Sequence, residues 1–201
     1  MILKRRFEKL GLIFDDKFYK RCNKFIKLLQ EWGKVHNLTG SLQIAQIEDN
    51  IVDSLYPLIF LNNFENFVDI GTGAGYPGVL ISIARPDIKA VFIEPKTKRV
   101  SFLNFVKNTL ELGNVQIINS RVEDIIPATY DLITSRAVTN TSLLLNITQH
   151  IRNENTEYLF YKGSMCNDEI KISNLDKYEI IRQGEYRNYL YIKRQGLVDD
   201  I

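Results

Sequence analysis

The sequence predicts an α/β fold in which helices cover both faces of a mostly parallel sheet, a helical unit precedes the sheet, and an antiparallel hairpin closes it. Short apolar runs alternate with helical patterns after Asn66, which is typical of parallel sheets. The runs are continuously apolar, as expected for strands that are buried on both faces. The last two runs are separated by only five residues, including Gly184, which favours a hairpin.

Residues 1–62 are predicted to form the helical unit. Asp15 or Asp16 can cap a helix in which apolar residues recur at helical spacing over 18–35, with lysines and arginines on the other faces. A second helix is expected over about 44–61 and ends in a polar turn. Four aromatic residues share one helical face and are expected in the core rather than as stacking platforms. They are Phe7, Phe18, Phe25 and Trp32.

Residues 63–201 are predicted to form the sheet domain. Helical patterns between these strands are expected to supply the crossover connections of a parallel sheet. The strands are expected at 67–70, 90–93, 115–118, 131–134 and 157–161, the hairpin at 178–182 and 188–193, and the helices near 77–84, 98–112 and 139–150.

The composition and length suit one globular domain with a small appendage. The chain has 201 residues, of which 45% are hydrophobic and 25% charged, which argues against disordered, collagen-like and disulfide-scaffold proteins. No apolar run is long enough to span a bilayer. The basic residues near Met1 are not followed by the apolar segment of a signal peptide. We therefore expect a cytoplasmic protein with no membrane partner.

The cysteines and histidines are too few and too scattered for a metal site. Cys22 and Cys166 lie in no metal or redox spacing, and the chain has only two histidines, so we expect reduced thiols and no bound metal. The net charge is only +2, yet residues 1–40 carry ten lysines and arginines against four acids. This basic end can neutralise RNA phosphates, although a solvated helix face would show the same pattern.

The first predicted strand runs directly into a glycine-rich segment, GTGAGYPG, at residues 71–78. Alternate glycines at Gly71, Gly73 and Gly75 let the backbone turn tightly and approach a ligand. Pro77 suits the first turn of a following helix. The same segment also satisfies the GxGxxG pattern of dinucleotide-binding proteins, so the glycines alone leave the ligand open.

Two carboxylates distinguish between these ligands. Asp69 lies inside the first strand, and Glu94 ends the second strand 19 residues after Gly75, where an acid in such folds receives ribose hydroxyls. S-adenosylmethionine (SAM) carries a cationic sulfonium, an amino group and a ribose diol, whereas a pyrophosphate carries negative charge. The acids therefore favour SAM. The structural alternatives are that loop amides satisfy Asp69 and that Glu94 pairs with Lys96 or Lys98.

The third strand is followed by Ser120 to Glu123 at the carboxyl edge of the sheet. This segment can form a capping box in which Ser120 is the N-cap and Glu123 reaches back. If a ligand binds at this edge, Val122 and Glu123 would instead offer an adenine an apolar face and a polar edge. Both interpretations fit the spacing.

Basic residues end the fourth and fifth strands. Arg136 stays protonated and cannot act as a base, but its guanidinium can hold a carboxylate or phosphate. Its structural alternative is an ion pair with Glu94 or Asp131. Lys162 ends the fifth strand at the same carboxyl edge of the sheet, and a functional role is predicted for it on the same but weaker grounds.

Seven segments together resemble the bacterial 16S rRNA guanine-N7 methyltransferase G family (RsmG, also called GidB) in order and spacing over about residues 25–165. The sheet itself resembles the Rossmann-like sheet of SAM-dependent methyltransferases. The segments are NLT at 37–39, DS at 53–54, VDIGTGAGYPG at 68–78, KRV at 98–100, SRVE at 120–123, SRA at 135–137 and KG at 162–163.

The resemblance implies a monomeric, cytoplasmic SAM enzyme that methylates N7 of a guanine in the 530-loop region of 16S rRNA, in the free RNA or in the small ribosomal subunit. It places Asn37, Arg121 and Lys162 around the substrate. Contacts with SAM are implied for Gly71, Tyr76, Val122, Glu123 and Arg136. Two positions depart from the family pattern: Asn50 stands where His is common, and Glu94 stands where Asp is frequent.

Guanine N7 is a lone-pair acceptor with no proton to lose, so its methylation requires alignment but no general base. The absence of an evident catalytic dyad is consistent with this chemistry. Three rival functions stay open: methylation of a small molecule by SAM, a nicotinamide-dependent oxidation, and SAM binding without catalysis.

Overall fold

The computed structural model describes residues 2–36, 38, 40–173, 175, 177–185 and 187–193. Its strands form one seven-stranded sheet in the order β3-β2-β1-β4-β5-β7-β6, parallel from β3 to β5 and antiparallel from β5 through β7 to β6. The strands are β1 (Asn66–Ile70), β2 (Lys89–Ile93), β3 (Val115–Ile118), β4 (Leu132–Arg136), β5 (Glu157–Lys162), β6 (Tyr178–Gln183) and β7 (Arg187–Ile192). The predicted mostly parallel sheet with its C-terminal hairpin is confirmed.

Helices precede the sheet and lie between its successive strands as far as β6, except between β3 and β4, where the described residues form only a 3₁₀ turn. In the described residues they are α1 (Ile2–Lys9), α2 (Asp16–His36), α3 (Ile44–Leu55), α4 (Gly78–Ala84), α5 (Thr97–Thr109), α6 (Thr141–Ile147) and α7 (Cys166–Ile172). Short 3₁₀ turns occur at Tyr56–Ile59, Val122–Asp124 and Gln149–Ile151. Helices α1 and α7 were not predicted, because each buries only a few apolar residues and depends on tertiary packing.

Three predicted helices are too long. The helix expected over 44–61 ends at Leu55, and a 3₁₀ turn follows in which Pro57 has no amide hydrogen to continue the α-helical bonding. The helix expected over 98–112 ends at Thr109, before Glu111 at φ 54°. The helix expected over 139–150 starts at Thr141, because the Asn140 side chain caps it by accepting from the Leu143 amide at 2.9 Å.

The sheet has two covered faces. On the front face, Phe67, Leu132 and Leu159 pack in one apolar cluster with side chains from α1 to α5. On the back face, Val68 and Ile133 pack in a second cluster with side chains from α6 and α7. Alternate residues of each strand supply the two clusters. The helical unit therefore shares one core with the front face of the sheet.

The basic helix α2 lies antiparallel beside α5 and uses two of its cations there. Arg21 donates to the carbonyl of Glu111 at 3.0 Å, and Lys24 donates to that of Thr109 at 2.8 Å. The carbonyl of Thr109, the last residue of α5, has no partner within the helix, so the bond from Lys24 satisfies it, while Arg21 binds the chain just beyond the helix. Lys17, Lys20 and Lys27 lie exposed on the same helix. Among the described residues, no helix is both long and apolar enough to cross a membrane.

Candidate active site

The glycine-rich segment forms a tight loop at the carboxyl end of β1. Gly71, Gly73 and Gly75 all have positive φ, at 68°, 59° and 99°. Residues other than glycine rarely adopt this backbone conformation. A Cβ on Gly71 would lie 2.4 Å from Cγ2 of Val138. The Gly71 amide donates to the carbonyl of Ile93 at 2.8 Å, which ties the loop to β2. The loop therefore requires glycine for its conformation and for its close packing.

Asp69 is fully buried beneath this loop. Its Oδ2 accepts from the Gly78 amide at 3.0 Å, and its Oδ1 accepts from the Thr134 hydroxyl at 2.8 Å. Burial raises the pKa of Asp69 to about 7, although these hydrogen bonds act to lower it. Asp69 thus joins β1 to β4 and to the start of α4. Its bond with the Gly78 amide agrees with the structural alternative, in which amides of the glycine-rich segment satisfy the carboxylate.

Glu94 holds the loop from the end of β2. Its side chain is 1% exposed; Oε2 accepts from the Gly73 amide at 2.9 Å and Oε1 from the Lys96 amide at 3.0 Å. Its nearest cation is Arg99, at 3.6 Å, rather than the side chain of Lys96 or Lys98. An ionised carboxylate has about four acceptor positions. Glu94 can therefore also accept from a ligand hydroxyl.

Arg136 ends β4 on the front face, and α3 holds it. Nη1 donates to Oδ2 of Asp53 at 3.1 Å, and Nη2 donates to Oδ1 of Asn50 at 2.6 Å. Its ion-pair partner is therefore Asp53 rather than Glu94 or Asp131. Burial lowers the pKa of Arg136, against the opposing effect of Asp53. Its guanidinium carbon lies 5.0 Å from the centre of the Tyr76 ring, within cation–π distance.

Tyr76 offers an unused polar atom at the same place. Its side chain is buried, and its hydroxyl has no hydrogen-bond partner among the described residues. Burial raises the pKa of Tyr76, so the hydroxyl stays protonated. A buried hydroxyl without a partner is costly. It can be satisfied by a ligand that enters beside the ring.

Lys162 lies at the same edge but on the back face, away from Arg136. It is 7% exposed; Nζ donates to Oε2 of Glu169 at 2.7 Å and to the carbonyl of Thr139 at 3.2 Å. Burial acts to raise the pKa of Glu169, but its bonds with Lys162 and Thr141 outweigh burial and lower that pKa. The sequence predicted that Lys162 and Arg136 lie at the same edge of the sheet. Both do, but their side chains lie on opposite faces of the sheet.

The segment after β3 forms a 3₁₀ turn, Val122–Asp124, without a side-chain cap. The capping-box interpretation of Ser120 and Glu123 is therefore wrong. Val122 is buried on the back face, whereas Arg121 and Glu123 are exposed. Glu123 is thus available to a ligand at this edge. Asn37, the remaining predicted substrate residue, lies outside the described residues.

The sequence did not predict the contacts of Asn50 and Asp53 with Arg136. Both residues lie three positions apart on α3, where they face the strand ends. The available signal was a polar pair at helical spacing among the apolar residues Ile47, Ile51 and Val52. This spacing predicts that Asn50 and Asp53 lie on one face of the helix, but it does not predict that they bind Arg136.

The sheet order and the glycine loop after β1 are those of the fold that SAM-dependent methyltransferases share. Two solved structures share the fold: a SAM-dependent methyltransferase of Methanococcus maripaludis (TM-score 0.59, 16% identity, 88% of this chain and 94% of that one), and TYW2 of M. jannaschii in complex with AdoMet (TM-score 0.55, 16% identity, 74% and 75%). These likenesses concern the fold alone.

The sequence comparisons identify the family. The family model described as rRNA small subunit methyltransferase G (GidB) matches residues 19–195. Two proteins named ribosomal RNA small subunit methyltransferase G are similar to this chain: that of Aliarcobacter butzleri is 55% identical over 98% of this chain and 100% of the relative, and that of Wolinella succinogenes is 43% identical over 84% and 88%. The chain belongs to the GidB family, as its motifs predicted.

Proposed function

We propose that the protein transfers the methyl group of SAM to N7 of a guanine in the 530-loop region of 16S rRNA, expected to be guanine 527 in rRNA numbering. The product of the cofactor would be S-adenosyl-L-homocysteine. The observation that carries the proposal is the family match, because it spans residues 19–195 and so includes both the basic helix α2 and the strand ends that carry the site. The protein would act as a monomer in the cytoplasm.

The strand ends of the front face fit SAM. The positive-φ glycines expose backbone that a ligand can approach closely. Glu94 has spare acceptor capacity for a ribose hydroxyl, and the buried hydroxyl of Tyr76 lacks a partner among the described residues. Asp69 would act through the loop that it fixes. The residues proposed to hold SAM are Asp69, Gly71, Gly73, Gly75, Tyr76, Glu94, Val122, Glu123 and Arg136.

The chemistry needs alignment more than proton transfer. When bound, SAM supplies an electrophilic methyl group on its sulfonium. Guanine N7 attacks through a lone pair and loses no proton, so the chain has to orient the base and exclude competing nucleophiles. We propose Asn37, Arg121 and Lys162 for the substrate side. Lys162 has three donors, of which Glu169 and Thr139 use two, so one remains for the RNA.

The RNA backbone would contact α2. Because Arg21 and Lys24 already bind the C-terminal carbonyls of α5, the exposed Lys17, Lys20 and Lys27 are better placed to neutralise phosphates. Binding that depends on such contacts weakens steeply with salt. A small-molecule substrate would give a nearly flat response to salt.

Methyl transfer tests the proposal directly. The protein is incubated with methyl-labelled SAM and with free 16S rRNA or small subunits from a strain that lacks it, and the modified nucleotide is mapped by mass spectrometry. One 7-methylguanine in the 530 loop is expected, with binding that falls with salt. Label at another atom or nucleotide, or no label on RNA, would refute the proposal. Calorimetric titration with SAM and with NAD separates the methyltransferase from an oxidoreductase.

Arg136→Ala should reduce kcat/KM about 100-fold, the scale of losing a positioning contact. Folding should be affected little, because Asp53 keeps Arg187 and Tyr189 as partners and is not left as an unpaired buried charge. The matched control is Arg85→Ala, which removes an arginine paired with Asp87 at the other edge of the sheet. Wild-type turnover in Arg136→Ala would show that Arg136 is not part of the site.

A further inference from the structure

The last turns of α3 are bonded to the ends of three strands. The carbonyl of Ser54 accepts from the Tyr161 hydroxyl on β5 at 2.7 Å. The carbonyl of Asp53 lies 3.2 Å from the Tyr189 hydroxyl on β7, whose single hydrogen also has Oδ1 of Asp53 and Oε1 of Gln183 within reach. The side chains of Asn50 and Asp53 reach Arg136 on β4. Helix C-terminal carbonyls have no intrahelical partners. This end of α3 is therefore fixed to the sheet at the edge that carries the candidate site.

Asp53 is the shared acceptor of this network. Its side chain is 13% exposed, and besides Arg136 it accepts from Nε of Arg187 at 2.7 Å and from the hydroxyl of Tyr189 at 2.9 Å, both at Oδ1. Two guanidinium groups thus share one carboxylate. Arg187 acts to lower the pKa of Arg136, as a like charge nearby must. Asp53 offsets the repulsion between the two arginines.

The two acceptors also set the orientation of the Arg136 guanidinium. A guanidinium is planar, and Asp53 and Asn50 bind its two terminal nitrogens from successive turns of α3. Two bonds at separate nitrogens restrict rotation of the group about its own axis. The Tyr76 ring supports the same group at 5.0 Å.

We infer that Asp53 and Asn50 are positioning residues, which hold the Arg136 guanidinium over the Tyr76 ring in the orientation that receives the cofactor. Asp53 also couples this orientation to the C-terminal hairpin through Arg187. The inference rests on the proposed function, because it takes Arg136 as a contact of SAM. Neither residue has to touch SAM.

The first test compares two carboxylates on one helix. Asp53→Asn should weaken SAM affinity at least tenfold, measured by calorimetry, because the neutral amide would leave no negative charge between two guanidinium groups. Asp49→Asn makes the same change four residues earlier, where the carboxylate pairs with Arg6 at 2.8 Å and not with Arg136. It should leave affinity within twofold. Equal affinities of the two variants would overturn the inference.

A double-mutant cycle separates positioning from a general structural effect. If Asp53 acts through Arg136, Asp53→Asn should have little further effect on SAM affinity once Arg136→Ala is present. An equal loss of SAM affinity in both backgrounds would overturn the inference.

Asn50→Ala removes a neutral acceptor and keeps the charge of Asp53. It should weaken SAM binding threefold to tenfold. If Asp53→Asn does not fold, the SAM affinity of Asn50→Ala tests the same positioning of Arg136.

Nitrogen-15 NMR of the arginine side chains gives a readout that needs no cofactor. The Arg136 signals, assigned by their loss in Arg136→Lys, should show restricted rotation of the guanidinium in the wild type and averaging in Asp53→Asn. Restricted rotation in a wild type that binds no SAM would refute the proposed function and leave the positioning of Arg136 intact. Free rotation in the wild type would refute the positioning.

Discussion

The two edges of the sheet carry similar polar residues but use them differently. At the amino edge, Oδ2 of Asp131 accepts from the amides of Glu65 and Asn66 at 2.7 and 3.2 Å, and Asn66 in return accepts from the Asp131 amide at 3.1 Å. At the carboxyl edge, Asp69 and Glu94 also accept from backbone amides. Carboxylates that bind amides are therefore common to both edges and do not by themselves mark a site.

In the part of the chain that the structure describes, positive-φ residues are concentrated at the carboxyl edge, where the buried hydroxyl of Tyr76 also lacks a partner. Elsewhere in the described residues, Glu111 before β3 has positive φ, and Nε2 of His150 before β5 is buried without a partner. The hydroxyl of Tyr76 is buried without a partner among the described residues, whereas the buried Glu157 of the amino edge accepts from Asn62 and Tyr191. Sparsely populated backbone conformations persist where the surroundings impose them, and they concentrate at functional sites. The carboxyl edge has positive φ at Gly71, Gly73, Gly75 and Ala137.

Cavity volume does not distinguish the two edges, because a cavity of about 530 Å³ also lies against Asn50, Asp53 and Arg187. The amino edge has a cavity of about 640 Å³ lined in part by Phe64, Arg85 and Asp131. Its ion pair, Arg85 with Asp87, has side chains that are 35% and 63% exposed, so solvent screens it. Open volume without buried, partly satisfied polar groups offers a ligand little specific binding.

The largest expected difference between the edges is the pH dependence that Asp69 contributes to stability. Burial raises its pKa from 3.8 to about 7 in the folded protein. A carboxyl with a raised folded pKa contributes stability that is fully present below pH 4 and is lost as the pH rises to 7. The difference between the two pKa values corresponds to about 4 kcal/mol.

Urea unfolding of the wild type and Asp69→Asn between pH 4 and pH 8 measures this contribution. The variant should be less stable at pH 4, because its single side-chain oxygen can replace only one of the two oxygens that accept from the Gly78 amide and the Thr134 hydroxyl. Its deficit should shrink or reverse by pH 8, because the introduced amide does not ionise. A difference in unfolding free energy between the two proteins that stays constant with pH would contradict the raised pKa of Asp69.

The second expected effect tests how closely α4 packs on Asp69. A Cβ on Gly78 would lie 2.7 Å from Oδ2 of Asp69 and 2.7 Å from the Phe92 ring, and both neighbours are buried. Gly78→Ala should therefore cost about 1 to 3 kcal/mol of unfolding free energy, and it should weaken SAM binding because the glycine loop leads into α4.

Gly113→Ala is the matched control, because no atom lies within 4 Å of its added Cβ. Its unfolding free energy should change by less than about 0.5 kcal/mol. Thermal or urea unfolding and SAM titration of both variants check the prediction. Equal stability of the two variants would mean that the contact at Gly78 relaxes freely.

The predictable parts of the molecule are those with local causes. The glycine loop follows from residues that tolerate positive φ, and the strands follow from apolar runs, so both could be located from the sequence. Asp69 and Glu94 were recognised as unusual because each interrupts or ends such a run. Their hydrogen-bond partners were only alternatives, since an amide that donates to a side chain has no signature in the residue type.

Contacts between distant segments could not be predicted. Asp53 and Arg136 are separated by 83 positions, and nothing in either segment specifies the other. The ion pair considered as the structural alternative for Arg136 named the wrong partners, because Glu94 and Asp131 were chosen by their places on neighbouring strands. The helix that supplies Asp53 packs over the strand ends, which only the tertiary fold determines. The sequence predicted Lys162 on the same rim as Arg136, and both residues do end their strands there, but the pleat puts their side chains on opposite faces of the sheet.

The smallest expected effect is that of Asp131→Asn on activity. The side-chain amide oxygen of the variant can still accept from the Glu65 and Asn66 amides, so only the charge assistance of these bonds is lost. The unfolding free energy should fall by about 1 kcal/mol or less, and SAM affinity and kcat/KM should stay at the wild-type values. Since Asp131 immediately precedes the strand that Arg136 ends, a large loss of activity would mean that the edges are coupled along β4. Unchanged activity would show that a carboxylate binding amides at the amino edge serves the fold alone.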